Sequence, residues 1–242
     1  MPKGVIINTL SIFIGGLIGS FAGQWLSDDF KQKMNMIFGA CAMTMGISSI
    51  RLMKNMPAVV FSVVIGTALG SAIHFGGMIE KMCGAMQRAI GKILHTEQTG
   101  DDAQARQAEL LTVIVLFCAS GTGIYGAIVE GMSGDASILI SKSILDFFTA
   151  LIFSCTLGMV VAFIAAPSFA VFITLFLLGG VIFPYTTPDM INDFKAVGGV
   201  LLLATGFRMI QVKMFPTADM IPAMILAMPV SWLWTNVIMP LL

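Results

Sequence analysis

"CASGTGIYGAIVEGMSGD", residues 118–135, is the stretch whose reading decides the fold. It follows "LLTVIVLFC" in an apolar window, yet it holds five glycines, Glu130 and a terminal Asp135. Ser120, Gly121, Thr122, Gly123 and Gly126 arrive about midway through that window. Each glycine there costs a helix roughly 1 kcal/mol relative to alanine, and a hydroxyl residue caps a fresh helix start. Two readings follow. One is a close helix crossing, where small residues let backbones approach. The other is a discontinuous helix, tolerated in lipid only where protein or a water-filled cavity satisfies the unwound backbone. In the second reading the restarting helix offers its amides to an anionic group and the freed carbonyls suit a cation, so Gly121 to Gly126 are expected to bind solute or ion.

The rest of the chain makes lipid the relevant solvent. Of 242 residues, 57% are hydrophobic and only 11% charged, far from a soluble composition. About eight windows approach the ~20 apolar residues that a spanning helix needs, at roughly 4–25, 35–53, 57–78, 110–132, 143–165, 168–186, 195–213 and 219–240. The fifth and sixth are separated only by Ala166-Pro167-Ser168, and merging them leaves seven. The fold class is therefore all-α, a polytopic transmembrane bundle. The first window is longer than a signal-peptide core and reads as a retained span. Between spans 3 and 4, residues 80–109 are hydrophilic. Ile79, Met82, Cys83, Met86, Ile90, Ile93 and Leu94 recur at helical spacing there, as expected of an amphipathic helix on the membrane surface or a solvated extension of span 3. The tail "TEQTGDDAQARQ" is polar and reads as a loop.

Formal charge is zero, so nothing points to nucleic acid, and the expected partners are the bilayer and a small solute or ion. Cys41, Cys83, Cys118 and Cys155 lack metal-ligand spacing, as do His74 and His95, so no metal site is expected. No nucleophile motif, phosphate loop or HExxH occurs, so neither an enzyme nor a cofactor is expected. Loop lysines and arginines give a thin majority inside if both termini lie outside, with dual insertion as the alternative.

An internal repeat adds organisation. "GGLIGSFAGQWLSDDFK" (15–31) aligns without gaps on "GGVIFPYTTPDMINDFK" (179–195), and after a slip of about one turn Gly39, Gly46 and Ile50 fall on Gly199, Gly206 and Ile210. Spans 1–3 would then match spans 6–8, an odd offset that inverts the copy, as in many secondary transporters. The units are 1–79, the 80–109 segment, the central 110–166 and 167–242. Gly15, Gly19 and Gly23, like Gly66 and Gly70, repeat every four residues on one helix face and read as packing sites, for the bundle or for a homodimer.

The polar residues in apolar surroundings are the site candidates. Glu130 lies one or two turns beyond the glycines, at a depth where an ionisable group is costly unless paired. It is either an interfacial glutamate or a coupling group for a proton or Na⁺. Asp135 has the place of a helix N-cap. Lys142 and Asp146 are spaced i, i+4 and share a helix face. Asn8 is a lone amide in an apolar helix, an interhelical hydrogen bond or a ligand contact.

With these residues in view, the sequence resembles the YqgA/YdfK-type bacterial inner-membrane proteins, a domain-of-unknown-function family. The block "GIYGAIVEGMSGDASILISKSILD" carries the likeness, together with "GVIINTLSIFIGGLIG" and "INDFKAVGGVLLLATG". The resemblance implies a multi-span inner-membrane protein with a transporter label, and implies Asn8, Asp135, Lys142, Asp146 and Asn192 as its polar core. Two positions depart from the family pattern: Glu130 stands where an aspartate is usual, and Arg208 where a smaller amide is. The expected function is secondary transport of a small polar or ionic solute, with Gly121 to Gly126 binding and Glu130 and Asp146 coupling. A passive channel and a non-transporting scaffold or sensor are the alternatives.

Overall fold

A computed structural model describes residues 1–22, 27–94, 110–111 and 113–241, and among them there is helix and no strand. In chain order the helices are α1 (Lys3–Ala22), α2 (Asp28–Ile50), α3 (Met56–Ala72), α4 (Phe75–Leu94), α5 (113–118), α6 (Gly121–Ser133), α7 (Ser137–Leu157), α8 (Val160–Phe163), α9 (Ala165–Ile182), α10 (Pro188–Met209) and α11 (Ile221–Leu233). Short π and 3-10 turns carry α11 on to Leu241. The polar tail expected as a loop, residues 96–107, lies outside the described residues.

Local chemistry sets the boundaries. Thr187 accepts a hydrogen bond from the Met190 amide, Pro188 takes a first-turn position, and Asp189 and Arg208 sit at the ends where the helix dipole favours their charges. Hence α10 starts at Pro188, seven residues before the expected 195, and draws the "INDF" segment into the helix. α6 starts on Ser120, whose hydroxyl accepts from the Gly123 amide, and stops at Gly134, a left-handed residue at φ 73°. That angle favours glycine because a side chain would clash.

Six described stretches are long and apolar enough to cross a membrane: α1, α5 with α6, α7, α8 with α9, α10, and α11 with its continuation. α3 and α4 together make a seventh. α2, which opens "DDFKQK", does not qualify by composition.

The helices form two units. In the first (residues 1–34 and 77–178), α1 packs along α7 through glycine. A Cβ at Gly15 would lie 2.3 Å from the Phe147 carbonyl oxygen, and one at Gly19 would lie 2.1 Å from that of Leu151. Both contacts advance in the same sense, so the helices run parallel. α6 and α9 are also parallel, with Gly123 against Phe172 and Gly131 against the Phe176 backbone.

In the second unit (residues 35–76 and 179–242), α3 and α11 are antiparallel, Gly66 meeting Ala223 and Gly70 meeting Asp219. α2 and α10 are antiparallel too. Gly46 packs on the Gly199 carbonyl and the Leu203 amide, while Gly206 packs on the Gly39 carbonyl and the Met43 amide. In the other direction, Gly199 meets the Gly46 carbonyl and Ser49 Cβ, and Gly39 meets the Gly206 carbonyl and Met209 Cβ. Each of these four pairs of contacts thus has its counterpart 160 positions away on the other helix.

Candidate functional site

The polar centre of the first unit is built on α7. One helical turn separates Lys142 from Asp146, so both side chains leave the same face and the ammonium donates to Asp146 Oδ2. Parallel packing of α1 brings Asn8 to the same place, and its Nδ2 donates to that same carboxylate oxygen at 2.7 Å. All three residues are buried, at 0% (Asn8), 4% (Lys142) and 5% (Asp146) exposure. The ammonium also stands over two fully buried rings, 6.0 Å from the Phe117 centroid and 5.9 Å from that of Phe172. Removing an ion pair from water costs several kcal/mol per ion, offset here by mutual attraction, a shared oxygen and two ring faces.

One valence is left over. Asn8 Oδ1 is buried and is the one such side-chain oxygen or nitrogen without a hydrogen-bond partner among the described residues. Turning the amide over would aim this oxygen at the Asp146 carboxylate, so the observed orientation follows from electrostatics, and the oxygen stays an unsatisfied acceptor.

Glu130 has another occupation. It is 2% exposed, and its two oxygens accept the Gly4 amide at 2.8 Å and the Val5 amide at 3.2 Å. These amides belong to the first turn of α1, which has no intrahelical acceptor for them. Glu130 thus acts as a carboxylate that caps a neighbouring helix. Glu130→Ala is expected to lower unfolding stability in detergent by about 2–3 kcal/mol, with Glu130→Gln between it and the wild type, because an amide offers one acceptor where two are used. Equal stability of all three proteins would sink the capping role.

The glycine segment is partly occupied by neighbours. A Cβ at Gly123 would fall 2.2 Å from the Phe172 ring, and one at Gly126 would fall 2.9 Å from Leu139, so these two make room for side chains. Gly121 and Thr122 are buried in the first turn of α6. The helix does break between α5 and α6, at Ala119 and Ser120, where Ser120 adopts an extended ψ of 137°. Ser168 on α9 donates to the Phe117 carbonyl near that break, at 3.4 Å. Asp135 accepts from the Ser137 amide at 3.1 Å, one residue ahead of the N-cap position.

Asn192 belongs to the second unit, half-buried beside Asp193, which the sequence reading passed over. Asp193 is 1% exposed and accepts from the amides of Lys54 and Asn55, the Asn55 side chain and the Ser231 hydroxyl. Asp219 likewise accepts from the Gly76 amide. The signal for Asp193 was the acid in "INDF", hidden by placing the start of its helix too late.

Apolar helices of membrane-crossing length around a buried, paired charge define the class: an all-helical membrane protein. The chain belongs to the DUF554 family, described as "Protein of unknown function", whose model matches residues 3–232. It is 42% identical to "Uncharacterized protein YqgA" of Escherichia coli (strain K12) over 238 residues, 97% of this chain and 98% of the relative. It is 24% identical to "Uncharacterized membrane protein YdfK" of Bacillus subtilis (strain 168) over 223 residues, 92% and 93% of the two chains. No solved structure matches.

Proposed function

We propose that the protein is a secondary transporter of a small polar or ionic solute across the bacterial inner membrane, with Asn8, Lys142 and Asp146 as its site. The observation that carries this reading is the unpartnered Asn8 oxygen beside a buried ion pair. Ionisable groups at such depth are costly, and the default reason to keep them is a solute or proton pathway.

Helix directions support eight crossings. α1 parallel to α7 requires an even number of crossings from one to the other, and α3 antiparallel to α11 an odd number. Both conditions hold if α2 crosses and α3 with α4 counts once. The paired contacts of α2 and α10, 160 positions apart, favour the inverted repeat of spans 1–3 and 6–8, which would let the two halves exchange inward-open and outward-open shapes. Termini outside, and a non-enzymatic role, complete the reading.

The test is flux into proteoliposomes under imposed ion gradients, across a library of small metabolites. A carrier gives saturable, gradient-driven uptake that Asp146→Asn removes. Conductance far above carrier rates in planar bilayers would replace it with a channel, and absence of any flux would overturn transport.

A further inference from the structure

We propose that the carboxylate of Asp146, the free oxygen of Asn8 and the rings of Phe117 and Phe172 form a binding cage for a small primary ammonium, which the side chain of Lys142 occupies as a tethered stand-in. This deepens the transporter reading and rests on it, because it names the solute class.

The geometry argues for an ammonium. A carboxylate, an amide oxygen and two aromatic faces are the groups that recognise a cation bearing N–H donors. All four residues are at most 5% exposed. The Lys142 ammonium uses two kinds of these groups, Asp146 Oδ2 and the ring faces, and leaves Asn8 Oδ1 unmet. Its reach is fixed by its own stem on α7. A free ammonium, with three donors and no tether, can satisfy Asp146 and Asn8 together. An inorganic cation would use the oxygens equally well but would leave the N–H directionality unused, so it serves as the control.

Charge fixes the exchange. The resting pair is neutral, and a second cation in the cage would leave a net buried charge. Entry of R–NH₃⁺ therefore displaces the Lys142 ammonium, which gives its proton to water and becomes the neutral amine. One ammonium enters, one proton leaves, and no covalent bond to the solute changes. Among the described residues, the Cys118 thiol is close enough to interact electrostatically with the pair and with Cys83. Glu130, the acid of α6, is held by the amides of Gly4 and Val5.

The test uses the purified full-length protein and methylammonium chloride, with sodium, potassium and tetramethylammonium chlorides at equal ionic strength. Methylammonium is expected to raise the melting temperature saturably and to release about one proton per molecule bound in weakly buffered solution, while the controls do neither. In Lys142→Ala the stand-in is gone, so n-propylammonium is expected to bind at least about tenfold more tightly than to wild type, without proton release. Asp146→Asn is expected to lose the response. Proton release from wild type needs no variant, so a variant that fails to fold does not spoil the test. No proton release from folded wild type, or the same response to sodium as to methylammonium, overturns the cage. Gradient-driven uptake of another solute alongside such a result would leave the transporter reading intact. Methylammonium binding without any flux would do the opposite, keeping the cage and removing transport.

Discussion

Asp146→Ala is expected to destabilise the protein by about 3–5 kcal/mol, a large fraction of the roughly 5–15 kcal/mol that holds a typical domain folded. The loss comes from what remains. Lys142 stays 4% exposed with an ammonium whose carboxylate is gone, and Asn8 then has neither side-chain bond satisfied. Lys142→Met together with Asp146→Leu should recover most of that stability, because desolvation of both ions is removed with the pair. Thermal unfolding in detergent of the two singles and the double completes the cycle. If the double is no more stable than Asp146→Ala, the burial of unpaired charge is not the cause. The same double variant should bind no ammonium and support no flux, which separates what the pair does for folding from what it does for solute.

Gly19→Val should be nearly as damaging for a different reason. Its first new carbon would lie 2.1 Å from the Leu151 carbonyl oxygen, and a helical carbonyl has no rotamer by which to withdraw. α1 must lift from α7 by about 1 Å, opening the contact that also seats Asn8 beside Asp146. A loss of about 3 kcal/mol is expected, at the upper end of overpacking costs, with a sharp fall in monodisperse protein by size exclusion. Gly77→Ala is the control, since a Cβ there meets no neighbouring element within 4 Å, and as a helical glycine replaced by alanine it should leave stability unchanged or raise it by up to about 1 kcal/mol. Equal behaviour of the two variants would mean that the α1–α7 crossing is not tightly closed.

How far the sequence speaks depends on how local the determinant is. The Lys142–Asp146 pair was legible because four residues along a helix make one turn, whereas the break ahead of α6 stayed one of two open readings, because a capped restart and a close glycine crossing use the same local residues. The Asn8–Asp146 bond spans 138 positions and has no sequence period to announce it. The capping contacts of Glu130 are hidden for a similar reason: its partners are backbone amides, which every residue has, so no spacing of side chains reveals them. Gly123 was ambiguous because a glycine that admits Phe172 and a glycine that frees the backbone for a solute look the same in one dimension. Asp193 was missed through a boundary error. "TTPD" is a strong helix start, but a window tuned to apolar residues looks past it to 195.

Three acids later in the chain complete the starts of earlier helices: Glu130 serves Gly4 and Val5, Asp193 serves Lys54 and Asn55, and Asp219, in the turn before α11, serves Gly76. The partners are separated by 126, 139 and 143 positions for Gly4, Lys54 and Gly76. At a ribosomal pace of about 5–20 residues per second, each early helix waits on the order of ten seconds for its acceptor to be synthesised. During that interval its leading amides must borrow partners from lipid headgroups, water or the insertion machinery. Shortening the chain from its carboxyl end thus does more than remove the last helices: it leaves starts made long before without the acids that finish them, and quality control would meet a nascent protein open at both ends.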